Sequence, residues 1–218
     1  MPFRQRDPNA SKSRILQAAR AAFADQGFAG ASMSAIAEGA GESQGLIHHH
    51  FGSKDDLWKA VLIQALDEAA GVDATLLRCT PTMDGLRAVL RAQVVFFRER
   101  PDVLRLLQWS TLQPSPSRDS QGHFDSSQDT NARADVIEFI SRGQAVGAFR
   151  TDLSASQSSV LLQSAVFAWV RTQSVVPAKR GDESIAIEAL LRMVAPNLAQ
   201  TSAVTSRSKQ ASRRARAR

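Results

Sequence analysis

Three consecutive histidines, His48, His49 and His50, are the first residues in the sequence whose chemistry needs an explanation. Imidazole binds metals, carries protons and forms hydrogen bonds. A metal site needs ligands that converge on one ion, whereas successive residues of a helix point about 100° apart. The three rings cannot surround one ion from a regular helix, so no metal site is expected. His48 and His49 are better placed for contacts with a partner molecule, whereas His50 is expected to pack or cap locally.

Catalytic residues are not expected elsewhere either. The single cysteine, Cys79, has no recognisable partner pattern, and His123 lies in a polar segment. No phosphate-binding P-loop is present. We therefore expect a protein that is not an enzyme and that uses no cofactor.

The histidines belong to a stretch, residues 32–54, that predicts two short helices around a glycine turn. Ser32 is a good N-cap for the first helix, and Gly41 suits the left-handed backbone of the turn. Ser43 can cap the second helix, in which Ile47 faces inward. Apolar residues recur at spacings of three and four along the first helix: Met33, Ile36, Ala37 and Ala40. Two helices joined in this way form the helix-turn-helix, whose second helix enters the major groove of DNA.

Residues 11–62 resemble the DNA-binding domain of the tetracycline-repressor (TetR) family of bacterial transcriptional regulators. The resemblance is carried by a first helix, SRILQAARAAFADQGF, by IA-x-x-AG from Ile36 and by HF-x-SK-x-x-L from His50. The sequence also has the S-x-G of the family at 43–45. It departs from the family at three positions, where an apolar residue, a small polar residue and a tyrosine are usual: Glu42, Leu46 and His48.

The resemblance and the residue chemistry together imply a set of DNA contacts. Gln44 can bond to adenine, Gly45 permits close approach, and Leu46 can pack against a thymine methyl group. Lys54 is a cation at a helix N-terminus, which is unfavourable for the helix and suggests a phosphate partner. The full predicted set is Ser32, Ser43, Gln44, Gly45, Leu46, His48, His49 and Lys54.

The rest of the chain shows helical periodicity, which predicts an all-α fold. The resemblance implies an N-terminal three-helix helix-turn-helix domain and a C-terminal helical domain for ligand binding and dimerisation. We expect Ser53 and Ser154 to cap two further helices, and residues 113–131 to form the longest loop. The expected divisions are a flexible basic arm (1–10), the helix-turn-helix domain (11–57), the effector and dimerisation domain (58–200) and a disordered basic tail (201–218).

The basic tail carries the charge excess of the chain. Residues 207–218 contain six basic residues and no acidic residue, which equals the formal net charge of +6. Such a tail either keeps the protein soluble or makes non-specific phosphate contacts.

The C-terminal half has no ligand motif, so an effector pocket is implied only by the resemblance. The candidate pocket residues are Gln93, Phe97, Leu106, Trp109 and Phe167, although residues of these types more often belong to a plain core. The last two helices, at about 155–176 and 183–198, are apolar on more than one face. A homodimer would bury both faces in a four-helix bundle, whereas a single subunit could bury them internally. The candidate interface residues are Val166, Trp169, Leu190, Met193 and Val194.

The resulting expectation is a repressor that binds an inverted-repeat operator in double-stranded DNA as a homodimer and is released by a small-molecule effector. A DNA-bound scaffold that recruits a protein partner is an alternative, because it would share every N-terminal feature. A third and less favoured alternative is an enzyme that has kept the fold. A cytoplasmic location without membrane contact is expected. The N-terminus lacks the apolar run of a signal peptide, and SSVLLQSAVFAWVRTQ is interrupted by polar residues.

Overall fold

A computed structural model describes residues 8–73, 77–112, 127–173, 175–176, 179 and 181–196 of the 218-residue chain. These residues form nine α-helices and no strand, so the predicted all-α class is confirmed for them. In chain order the helices are α1 (Pro8–Gly30), α2 (Met33–Ala40), α3 (Gln44–Phe51), α4 (Lys54–Asp73), α5 (Met83–Glu99), α6 (Pro101–Leu112), α7 (Ser127–Ala145), α8 (Ala155–Gln173) and α9 (Asp182–Val194).

The helix ends follow from local sequence. Gly27 interrupts α1 with φ 69°, in the left-handed region that favours glycine. Ser53 accepts a hydrogen bond from the backbone N–H of Asp56 at 3.0 Å and so caps α4. Ser154 caps α8 reciprocally: its Oγ accepts from the N–H of Gln157 at 3.1 Å, and its own N–H donates to the Gln157 side chain at 2.9 Å. Both predicted caps are therefore confirmed.

The chain divides into two compact units. The first contains α1, α2, α3, α4 to Ala70, and α6. In it α1 packs against α2, α3 and α6, and its buried stripe is Ile15, Ala19 and Phe23. The ring of Phe23 meets Trp58 of α4 edge to face, with centroids 5.0 Å apart. This core holds the two short helices α2 and α3 in place.

The second unit contains α5 to Arg98, α7 from Arg133, α8 and α9. One stripe of α5 is buried: Leu86, Val89, Leu90, Val94 and Phe97. The turn after α7 brings the ring of Phe149 against the backbone of Gly143 so closely that a Cβ there would lie 2.1 Å from a ring atom. Arg150 then donates through its backbone N–H to Val194 O at 3.0 Å and through Nη1 to Met193 O at 3.1 Å. This turn satisfies carbonyls at the end of α9.

Several predicted boundaries differ from the observed ones. Helix α1 begins at Pro8, inside the segment 1–10 that was expected to be a flexible arm, because Pro is well tolerated in the first helical turn. Helix α7 begins at Ser127, inside the predicted loop 113–131. The rest of that loop at 113–126, the arm at 1–7 and the basic tail at 201–218 lie outside the described residues. The first unit also extends past residue 57 to Ala70.

Candidate nucleic-acid interface

Helix α2 and the turn after it form a rigid support. Ser32 has extended backbone angles, and its Oγ accepts the N–H of Ala35 at 3.1 Å. Gly41 ends the helix with φ 64°, and its N–H donates to Glu38 O at 3.0 Å. The N–H of Glu42 donates to Ala37 O at 3.0 Å, which completes a glycine-based helix end. The Ser32 hydroxyl accepts in this cap, so its proton is still available to donate to a partner such as a phosphate oxygen.

Helix α3 separates an anchoring face from a solvent face. Ser43 caps its N-terminus by accepting the N–H of Leu46 at 3.2 Å, and Ile47 is fully buried at 0% exposure. Leu46 is half-buried. The exposed residues are Gln44, Gly45, His48 and His49. A Cβ placed on Gly45 would have its nearest contact at 4.0 Å, so the fold itself does not require glycine there. Because the space beside Gly45 is open, another molecule can approach the helix backbone closely there.

The three histidines have different surroundings. His48 is exposed, and its Nδ1 lies 2.7 Å from the carbonyl oxygen of Gly52. The N–H of Gly52 in turn donates to His48 O at 2.8 Å. The rings of His49 and His50 meet edge to face at 5.5 Å. Across the described part of the chain, no group of three or more His, Cys, Asp or Glu side chains is arranged to hold a metal ion.

Lys54, at the start of α4, has an aromatic neighbour. Its Nζ lies 4.7 Å from the centre of the Phe28 ring, a cation–π distance. Partial burial lowers the pKa of Lys54 from its ordinary value. The ammonium group thus has a weak partner inside the protein and lacks full hydration. A phosphate oxygen would compensate the charge more strongly than the ring does.

Glu42, one of the three departures from the family pattern, has an internal role. Its side chain is 1% exposed and forms an ion pair with Nη2 of Arg14 in α1, whose side chain is 48% exposed. The same Arg14 nitrogen donates to Ser11 Oγ at 3.0 Å. Glu42 therefore ties the helix-turn-helix turn to α1 and does not face solvent. Arg14 is not in the predicted contact set, and its pairing with an acid 28 residues away could not be predicted from local sequence.

The arrangement described so far is that of a helix-turn-helix with an exposed second helix. The description "Bacterial regulatory proteins, tetR family" matches residues 15–61, and "Tetracyclin repressor-like, C-terminal domain" matches residues 90–200. The second match alone spans more than half of the chain.

The chain belongs to the tetR family. The predicted family and its two-part helical organisation are thereby confirmed, and its members are transcriptional regulators rather than enzymes. None of the described helices is both long enough and apolar enough to cross a membrane.

Two tetR-type relatives act in opposite directions. The chain is 34% identical over 109 residues to the HTH-type transcriptional repressor SCO4008 of Streptomyces coelicolor, a match that covers 50% of this chain and 53% of the relative. It is 30% identical over 145 residues to the HTH-type transcriptional activator FasR of Mycolicibacterium smegmatis, with 66% and 65% covered. The chain thus spans between half and two thirds of the length of these relatives.

A solved structure confirms the fold over a longer span. A tetR family regulator from Marinobacter aquaeolei matches 89% of this chain and 100% of its own chain, with a TM-score of 0.74 at 19% identity. At this identity the likeness concerns the fold alone.

The five predicted pocket residues fall in two different units. Leu106, at 0% exposure, and Trp109, whose Nε1–H donates to Ala24 O at 3.3 Å, belong to the first unit. Gln93, Phe97 and Phe167 belong to the second unit, where the rings of Phe97 and Phe167 meet edge to face at 4.9 Å. Gln93 is one of the few buried polar side chains among the described residues, at 9% exposure.

The predicted interface residues divide by burial. Val166, Leu190 and Val194 are buried within the second unit at 0, 8 and 1% exposure, so they have almost no surface left for a partner chain. Trp169 and Met193 are half-buried. Other apolar residues of the same two helices are exposed: Val160, Leu161 and Ile185 at 53, 42 and 70%. Sequence periodicity could not separate these two groups, because both lie on helices that are apolar on several faces.

Proposed function

We propose that the protein is a transcriptional repressor that binds an inverted-repeat operator as a homodimer and leaves it when a small molecule binds. The main support for the proposal is the division of α3 into two sides. Ile47 is buried and anchors the helix, while Gln44, Gly45 and His48 are exposed on the other side. An exposed, firmly capped second helix is what insertion into a major groove requires. Operator binding would take place in the cytoplasm, where bacterial DNA lies.

The predicted DNA contacts follow from this position. Ser32, Ser43 and Lys54 are proposed to bind phosphates, because each offers a donor at the start of a helix. Gln44, Gly45, Leu46, His48 and His49 are proposed to meet base edges or the backbone along the groove. Phosphate contacts would fix the register, and the base contacts would supply sequence preference.

Exposed apolar residues on α8 and α9 support the homodimer. Val160, Leu161 and Ile185 leave more than two fifths of their surface in water. Burying such side chains against a second copy is favourable, and a two-fold dimer would present two recognition helices to an inverted repeat. The half-buried Trp169 and Met193 are proposed to contribute at the edge of the same surface.

The second unit supports an effector site. Gln93, Phe97 and Phe167 combine one amide with two aromatic rings, and on α8 two buried donors, Trp169 Nε1 and Gln173 Nε2, have no acceptor among the described residues. A buried donor without a partner costs about 1–3 kcal/mol, so a ligand acceptor would be stabilising there. A ligand releases the operator only by preferring the conformation that binds DNA poorly.

Selection of bound fragments from genomic DNA, repeated with metabolite mixtures, tests the proposal. We expect a short inverted repeat to be enriched without metabolites and one fraction of metabolites to abolish its binding. A reporter gene placed behind that repeat should be expressed more strongly when the regulator is deleted. Absence of any sequence preference at moderate salt would refute operator binding, and lower reporter expression after deletion would identify an activator.

Substitution of an exposed apolar residue on α9 tests the proposed dimer interface. Ile185→Glu should raise the dimer dissociation constant at least tenfold in sedimentation experiments, because a carboxylate would be buried at the interface. Val146→Glu is the matched control, since Val146 is 69% exposed but lies in the turn after α7. Equal weakening by both changes would argue against this surface.

A further inference from the structure

The hydrogen bond of His48 to the backbone fixes which ring nitrogen is free. Nδ1 lies 2.7 Å from the carbonyl oxygen of Gly52, and a carbonyl oxygen can only accept. Nδ1 must therefore carry the proton. In the neutral ring Nε2 is then left with a lone pair and no proton, so it can only accept a hydrogen bond.

His48 lies on the exposed side of α3 that is proposed to face the major groove. Residues four apart lie on the same side of a helix, so exposed His48 is next to exposed Gln44 one turn earlier. Ile47, on the inward side, is fully buried and fixes the rotation of α3. The bond to Gly52 holds the ring in one orientation before any partner arrives.

We infer that His48 is a specificity-determining residue that accepts, through Nε2, a hydrogen bond from the exocyclic amino group of adenine or cytosine. This inference rests on the proposed function, since it needs α3 in the major groove. The only base donors in that groove are adenine N6 and cytosine N4. Guanine, thymine and phosphate oxygens offer acceptors there, which a bare ring nitrogen cannot bind. His48 therefore reads a base and does not hold the backbone.

Two substitutions separate the reading atom from the tethering atom. His48→Asn keeps a side-chain N–H close to the position of Nδ1, so the bond to Gly52 persists while Nε2 is removed. His48→Gln places its amide near the position of Nε2 and gives up the tether. We expect His48→Asn to melt within about two degrees of the wild type, because it keeps one hydrogen bond at the end of α3. His48→Gln should melt lower, because it loses that bond.

The test begins with selection of random double-stranded DNA by wild type and His48→Asn at pH 8. One base pair per half-site should lose its preference in His48→Asn. At that position, adenine is replaced by purine, or cytosine by 2-pyrimidinone, each of which lacks the amino group. Wild type should bind the analogue site roughly 2- to 10-fold more weakly, the value of one hydrogen bond, whereas His48→Asn should bind both sites equally.

Three results would overturn the inference: an unchanged wild-type affinity for the analogue site, an equal loss by wild type and His48→Asn, or a uniform loss by His48→Asn on every sequence. The last would indicate a phosphate contact. Failure of the proposed function has a different signature, since wild type would then select no sequence at all.

Discussion

Arg20 of α1 holds Glu68 of α4 through two hydrogen bonds, 2.6 Å from Nη1 to Oε1 and 3.0 Å from Nη2 to Oε2. The same guanidinium donates through Nε to Asp102 of α6 at 2.6 Å. Arg100 pairs with the same two acids, so the four side chains form a closed ring of ion pairs. Its Nη2 lies 2.7 Å from Glu68 Oε2, and its Nε lies 3.4 Å from Asp102 Oδ1. Two arginines and two acids in alternation thus join three helices of the first unit.

Glu68→Gln should lower the free energy of unfolding by about 1–2 kcal/mol, because it breaks a bidentate pair inside a charge network. The Glu68 side chain is 32% exposed, which keeps the effect well below that of a fully buried pair. Urea denaturation at one fixed protein concentration measures it. Glu138→Gln is the control, since that carboxylate is 71% exposed and lies 4.0 Å from Arg142. Equal losses of unfolding free energy in the two variants would show that the ring of ion pairs contributes no more than an exposed ion pair.

Acid should weaken the same ring through Asp102. Burial disfavours the charged form of Asp102, but hydrogen bonds and charge from Arg20 and Arg100 hold its pKa below the ordinary 3.8. Because the folded-state pKa is lowered, the stabilisation is complete above the unfolded-state value and is lost as pH falls through the folded one. Wild type should therefore lose more stability than Asp102→Asn between about pH 5 and pH 2. Parallel stability curves for the two proteins would contradict this assignment.

Lys54→Ala and Gln44→Ala should weaken DNA binding in different ways. Loss of the Lys54 charge should reduce affinity for all sequences and lower the salt slope by about one. Loss of the Gln44 amide should mainly relax the preference at one base position. Binding titrations on selected and unrelated DNA at several salt concentrations separate the two. The same uniform loss for both variants would refute this division.

Glu42→Leu should tighten binding to all DNA sequences and raise the salt slope by about one, because Arg14 would lose its acid partner and could meet a phosphate. Stability should be unchanged or slightly higher, since leucine avoids the desolvation of a buried carboxylate. Glu38→Leu changes the net charge equally from an exposed position on α2. Equal gains for the two variants would indicate a general field effect and not the release of Arg14.

Gly143→Ala should destabilise the fold by more than about 2 kcal/mol, because its Cβ would collide with the Phe149 ring at 2.1 Å. Phe149 is itself 1% exposed and has little room to move. Gly39→Ala in α2 is the matched control, with its nearest contact an ordinary 3.6 Å from Ala18 Cβ. That variant should be stabilised by up to about 1 kcal/mol through helix propensity. Thermal melting distinguishes the two variants. An unchanged melting temperature for Gly143→Ala would contradict the close contact between Gly143 and Phe149.

Local sequence was enough to predict the frame of the candidate site. The caps at Ser32, Ser43 and Ser53 and the left-handed Gly41 depend on residues within four positions of each other, and each was found as predicted. Inward-facing Ile47 followed from helical spacing in the same way. Helix α3 could therefore be located from its own residues.

Contacts between distant parts of the sequence could not be predicted in this way. Arg20 and its partner Asp102 are 82 positions apart, and nothing in either neighbourhood identifies the other. The sequence identified Glu42 only as a departure from the family pattern, whereas the structure buries its side chain against Arg14, 28 positions earlier. The apolar residues of α8 and α9 could not be divided into core and exposed groups, since the division depends on the surrounding helices.

Helix α3 assigns anchoring and contact to different side chains, with Ile47 on one side and Gln44 on the other. Under the proposed function, Gln44 could therefore be exchanged in a duplicated gene without loss of folding, and the copy would change its base preference in a single step. His48 is the exception because its ring also closes the helix end at Gly52. Substitutions there that lose the bond to Gly52 would change the stability of the helix end together with the proposed base preference, so fewer replacements are open to His48 than to Gln44.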